Sequence, residues 1–132
     1  MKKEEVEKWC QENNCMLLDI RTNNNDTLRI NEVVTIAELS CRLSKGNVYI
    51  RTNKNKVVFA RWLIYDYLKR MTNMSLADIG WTFARRDHST VIHGLKVLEN
   101  EVFMGWRKEY KNKFESKINE AHTKLGFKEI YI

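Results

Sequence analysis

The residues most able to do chemistry form one hydrophilic block, Arg85, Arg86, Asp87, His88, Ser89 and Thr90, inside the stretch "SLADIGWTFARRDHSTVIHGLKVLEN" (75–100). A helix that builds a core does not carry six such residues in succession, so the block is either a solvated turn or a recognition surface. Catalysis fits poorly. His88 and His93 are five apart, about 140° around a helix, and do not converge as the i, i+4 histidines of a zinc protease do. His122 belongs to another predicted helix. Asp66, Asp78 and Asp87 lack the paired spacing of acid–base work, and no Ser or Cys stands in a nucleophile motif. Cys10, Cys15 and Cys41 fit no zinc spacing and read as reduced thiols. We therefore expect no enzyme, no metal and no cofactor. Recognition fits better. Arg86 can reach a phosphate or a guanine edge, Asp87 can accept from cytosine N4, His88 and the Thr90 methyl can meet a thymine methyl, and Ser89 allows close approach. Free amides at a helix start can also meet phosphate. Taken alone, the spacing is equally that of an N-cap at Asp87 or Ser89 flanked by solvated arginines.

The elements around the block decide how it is held. Ser75 reads as an N-cap with Asp78 three residues on, and Leu76, Ile79 and Phe83 share one face of a short helix. Beyond the block, Val91, Leu95, Leu98 and Val102 repeat at helical spacing. Two helices, Ser75–Phe83 and His88–Val102, thus flank a tight turn, and the second starts with polar residues as the reading helix of a helix-turn-helix does. Upstream, "VVFARWLIYDYLKRM" (57–71) is apolar on nearly all sides except Arg61, Asp66, Lys69 and Arg70, and reads as a central helix. A helix over about Leu28–Leu43 precedes the basic segment "SKGNVYIRTNKNK" (44–56), a loop or short extended piece. The first 29 residues read as an acidic helix and a polar break. Trp106, Tyr110, Phe114, Ile118, Ala121 and Leu125 mark a long amphipathic C-terminal helix with Gly126 as its cap, followed by a short tail. The expectation is one all-α domain.

The net charge of +6 is uneven: residues 1–41 carry −3, 42–90 carry +7 and 91–132 carry +2. Positive charge gathered around the block suits a polyanion, since neutralised phosphates release counterions. No apolar run of membrane length, export signal or lipidation motif occurs, so a cytoplasmic protein is expected.

The stretch 75–101 resembles the signature of the DNA-binding C-terminal domain of the bacterial DnaA replication initiators, S-L-x-E-I-G-x-x-F-G-G-R-D-H-[ST]-T-V-[IL]-H-A-x-x-K-[IV]-E. "VVFARWLIYDYLKRMTN" continues the likeness upstream, and it thins before about Arg51. The resemblance implies a Trp-repressor-like helix-turn-helix bundle over 30–102, preceded by an acidic extension (1–29) and followed by an extra amphipathic helix (103–132) on the same domain. It implies double-stranded DNA as partner, at initiator-box-like sites in replication initiation or its regulation. Asp87, His88, Ser89 and Thr90 would contact bases, and Arg61, Lys69, Arg85, Arg86 and His93 the backbone or the groove edge. The family also sends a loop arginine into the minor groove. Asn53 stands at that place here, with Arg51, Lys54 and Lys56 as substitutes, and a narrow groove attracts a cation more than an amide. Ala84 and Arg85 replace two family glycines, which puts the turn and the target sequence in question.

The family's initiators carry an ATPase module before this domain, yet no G-x-x-x-x-G-K-[ST] phosphate loop occurs in these residues, so neither nucleotide binding nor ATPase activity is expected. The chain then reads as a stand-alone DNA-binding protein, of phage or mobile-element type, or as a regulator that occupies initiator sites. A helix-turn-helix transcriptional regulator is one alternative. A helical protein-interaction module is the other, in which the N- or C-terminal helix docks on replication proteins or a second copy.

Overall fold

A computed structural model describes residues 27–83 and 88–131, and the expected acidic helix, Cys10 and Cys15 lie outside the described residues. Five α-helices follow one another among them: α1 (Ile30–Ser40), α2 (Asn55–Met71), α3 (Leu76–Thr82), α4 (His88–Asn100) and α5 (Trp106–Lys124), with a 3-10 turn at Asn47–Tyr49. The all-α class expected from the periodicity is what the chain adopts.

α2 is the hub, and all the other helices pack on it. It earns that place by composition, because Phe59, Ala60, Leu63, Ile64, Tyr65, Tyr67 and Leu68 are buried around its whole circumference. α1 contributes Ile30, Val33, Val34, Ala37 and Cys41, the i, i+3, i+4, i+7, i+11 face of an amphipathic helix. α3 inserts Ile79 and Phe83, α4 Val91, and α5 Tyr110, Phe114 and Ile118, all into that one core. The Ser75 hydroxyl accepts the Asp78 N–H at 3.1 Å, the cap expected there. α5 ends as its glycine requires: Gly126 has φ 77°, its N–H reaches the Thr123 carbonyl at 3.0 Å, and the Phe127 N–H reaches that of His122 at 2.7 Å.

Two expectations about the stripes are corrected. Val102 lies past the end of α4 and is 92% exposed, because the helix stops at Asn100 and the chain turns so that Phe103, not Val102, joins the core. Leu125 is 53% exposed, and the stripe of α5 closes instead on His122, which is fully buried. The His122 Nδ1–H donates to the Lys128 carbonyl at 2.8 Å, and Nε2 pairs with the Tyr67 hydroxyl at 2.8 Å. That hydroxyl in turn accepts the Leu28 N–H at 2.8 Å. One buried chain of hydrogen bonds thereby joins the start of α1, α2, α5 and the tail. The tail is anchored again at Tyr131, whose hydroxyl donates to Asp66 Oδ2 at 3.0 Å.

Candidate nucleic-acid interface

The second helix of the pair begins where the sequence places the reading residues. His88, Ser89 and Thr90 are the first three residues of α4 and are all exposed, while Val91 beside them is fully buried. The buried valine fixes the rotation of the helix, and the three polar side chains therefore stand on its outward first turn. Arg85, Arg86 and Asp87, with Ala84, lie outside the described residues. One turn further along, His93 is exposed and lies edge-on to the Trp62 ring, 5.8 Å between centroids.

α4 approaches α2 closely because Gly94 has no side chain. A Cβ there would stand 2.3 Å from Trp62 Cδ1 and 2.9 Å from Cγ, well inside van der Waals contact with the indole. Trp62 and Gly94 are thus a matched pair that sets the seating of the outward helix, a relation that neither residue's type announces.

The basic segment before α2 is held from two sides by buried charges. From α1, Glu38 is 4% exposed and accepts the Val48 N–H at 3.3 Å, with the Gly46 and Asn47 amides also turned toward it. Burial pushes its carboxyl above the usual range, against the pull of those amides and of Lys45. From α2, the Arg61 Nε–H donates to the Val48 carbonyl at 2.8 Å and Nη1–H to that of Thr52 at 3.0 Å, while Nη2–H donates to Ile50. Glu38 thus takes N–H groups and Arg61 takes carbonyls, so the turn's backbone is satisfied without a sheet or a helix partner. Tyr49 then stacks on Phe83 at the end of α3, 5.8 Å between centroids, which ties the segment to the helix leading into the turn.

This geometry corrects the expectation for Arg61. Arg61 is 3% exposed, with its guanidinium occupied by the loop's carbonyls, so it positions the basic segment and does not present a cation on the surface of α2. The residues it positions do face solvent: Arg51, Asn53, Lys54 and Lys56 are all exposed. Lys54 is the N-cap residue of α2, and the Lys56 ammonium lies 5.8 Å from the Tyr110 ring centroid. Lys69 is exposed in the last turn of the same helix, some 22 Å along the axis from Lys54 at about 1.5 Å per residue. The structure therefore gathers the basic segment and the end of α3 at one place and leaves Lys69 at the other end of α2.

Reading the sequence missed Glu38, Tyr49 and the Trp62–Gly94 pair. Glu38 had a signal, since it falls eight residues after Ile30 on the apolar face of α1, where a charge requires a partner. Among the described residues, no three His, Cys, Asp or Glu side chains gather as a metal set, and no helix is long and apolar enough to cross a membrane.

A short helix, α3, and a second helix, α4, that starts five residues after Phe83 with an outward polar first turn, both packed on a third helix, are the described parts of a helix-turn-helix domain. The chain belongs to the family described as the bacterial DnaA protein helix-turn-helix, whose model matches residues 30–97. That family's domain supports DNA binding as the function of this chain, and it is a DNA-binding domain, not a catalytic one. Among its relatives, the chromosomal replication initiator protein DnaA of Flavobacterium psychrophilum is 43% identical over 70 residues, covering 53% of this chain and 14% of that protein. Its counterpart in a Wolbachia of Brugia malayi is 34% identical over 82 residues, covering 57% and 18%. That of Lachnoclostridium phytofermentans is 26% identical over 83 residues, covering 63% and 18%. The chain thus spans less than a fifth of the length of these relatives. No solved structure matches it.

Proposed function

We propose that this chain binds double-stranded DNA with a sequence preference, at sites like those used by the replication initiators it resembles, and acts in replication initiation or its control. The observation that carries this reading is the first turn of α4, where His88, Ser89 and Thr90 are exposed together beside buried Val91. In the reading, these three and Asp87 contact base edges in the major groove. Arg85, Arg86, His93 and Lys69 contact backbone, and the segment with Arg51, Asn53, Lys54 and Lys56 lies along the adjoining groove. Initiation is proposed from the relatives, each a chromosomal replication initiator protein. These 132 residues hold no phosphate loop, so the DNA binding proposed here is independent of ATP.

Selection of bound fragments from a random duplex library tests the reading. An enriched motif is expected, and His88→Ala should cost roughly 1–3 kcal/mol on that motif with much less loss on random duplex. A library that emerges without enrichment, or a His88→Ala protein with the parent's full preference, would defeat sequence-specific reading by α4.

A further inference from the structure

α5 lies beyond the matched segment 30–97 and brings one cation to the edge of the candidate interface. Arg107, in its first turn, is half-buried, with its guanidinium carbon 5.3 Å from the Trp106 ring centroid and 6.0 Å from those of Phe59 and Trp62. Three aromatic faces fix the stem and the plane of the group without supplying a counter-ion. No carboxylate among the described residues forms an ion pair with it, whereas its neighbour Glu109 pairs with Arg42 at 3.3 Å. The Trp62 ring under Arg107 is the same ring that His93 of α4 meets edge-on at 5.8 Å. On the other side, Trp106 packs on Tyr110 at 5.3 Å, over which exposed Lys56 lies. His93, Arg107 and Lys56 therefore follow one another across a continuous aromatic shelf, from the outward helix to the start of α2.

An oriented guanidinium with no acid partner among the described residues, joined through one aromatic cluster to the exposed side chains of His93 and Lys56, suits a phosphodiester oxygen. We infer that Arg107 is a DNA-backbone contact, so that α5 widens the footprint beyond the helix-turn-helix itself; this rests on the DNA-binding reading above. Because phosphates are alike at every sequence, the contact acts on all duplexes equally.

The test is fluorescence anisotropy with a labelled random-sequence duplex of about 20 base pairs across a salt series, chosen long enough to exceed a single groove contact. With Arg107→Gln we expect a several-fold weaker Kd and a log–log salt slope smaller by about one. Lys113→Gln removes the same charge from an exposed site turned about 240° around the same helix, and is expected to leave both quantities unchanged. Arg107→Lys, which keeps the charge but not the planar stack, should retain most of the affinity. An Arg107→Gln protein with the parent's Kd and slope overturns the inference, as does an equal loss in Lys113→Gln, which would reduce the effect to net charge. Loss of both Tm and affinity in Arg107→Gln and Arg107→Lys alike would assign the residue to packing and likewise overturn it. If the parent binds no duplex at all, the DNA-binding reading itself has failed, an outcome distinct from the others.

Discussion

Replacing Arg61 with methionine separates a positioning role from a phosphate contact. Methionine keeps the apolar stem and removes the guanidinium. The Val48 carbonyl then loses its donor at a position where Val48 is fully buried, a desolvation cost of about 1–3 kcal/mol. The carbonyls of Ile50 and Thr52 belong to residues that reach solvent and can turn to water, so each of those losses is nearer about 0.5–1.5 kcal/mol. Relief from burying a cation offsets part of the total. A net loss of about 2–4 kcal/mol follows, and for a chain of this size about 3–6 °C accompanies each kcal/mol, so Tm should fall by roughly 6–24 °C. Thermal unfolding followed by circular dichroism reads that change. Hydrogen exchange locates it, because the Val48, Tyr49 and Ile50 amides, bonded to Glu38, Gly46 and Asn47, should open first. Exposed Lys69→Met is the companion, with Tm nearly unchanged and a random-duplex salt slope smaller by about one. An Arg61→Met protein with the parent's Tm and exchange, but with that same reduction in slope, would refute the reasoning and put Arg61 on a phosphate.

Gly94→Ala forces a methyl against the Trp62 ring, 2.3 Å from Cδ1, and should destabilise by about 1–3 kcal/mol; the loss should shrink in a Trp62→Leu background, and an unchanged Tm would show that the indole gives way freely. Tyr67→Phe strips a partner from both the Leu28 N–H and His122 Nε2, so a loss of about 1–3 kcal/mol is expected in urea unfolding, and a parent-like midpoint would count against the buried chain. Burial pushes the Cys41 thiol from 9.0 up to about 12. The fold therefore favours the protonated form, a contribution present in full below about pH 9 and lost as pH rises toward about 12. Iodoacetamide at pH 9 should spare the Cys41 peptide in native protein and label it in urea, and equal labelling in both would contradict the burial.

Much of the fold was legible because it rests on periodicity. The faces of α3, α4 and α5 could be read from apolar spacing, and the cap at Ser75 from a hydroxyl three residues before an amide in need of an acceptor. The outward placement of His88, Ser89 and Thr90 was legible for a related reason: Val91 begins a new apolar repeat, and whatever precedes it on α4 faces away from the core. Periodicity fails for polar residues on apolar faces. Arg61 and His122 sit on buried faces by spacing, but a charge or an imidazole is assigned to the surface until its partners are known. Those partners are backbone groups 9 to 13 residues away for Arg61, and a tail carbonyl and a tyrosine 55 residues distant for His122. The Trp62–Gly94 fit was illegible for the same reason, since it exists only once α2 and α4 cross.

These hidden contacts bear on how the proposed DNA interface would work. The basic segment has no regular structure beyond one 3-10 turn, and left to itself it would lose conformational freedom on meeting DNA, at a cost set against affinity. Glu38 and Arg61 order it beforehand, one taking its amides and the other its carbonyls. Tyr49 on Phe83 then links that ordered segment to the helix entering the turn, and Gly94 on Trp62 fixes the outward helix to the same α2 that carries Arg61. The exposed cations of the segment and the polar first turn of α4 are thereby referred to one rigid helix, so their relative placement is set before any ligand arrives. A preorganised pair of this kind makes selectivity sensitive to changes in buried residues that touch no ligand. Loosening Arg61 should therefore weaken discrimination between duplexes as well as stability, whereas loosening Lys69 should not.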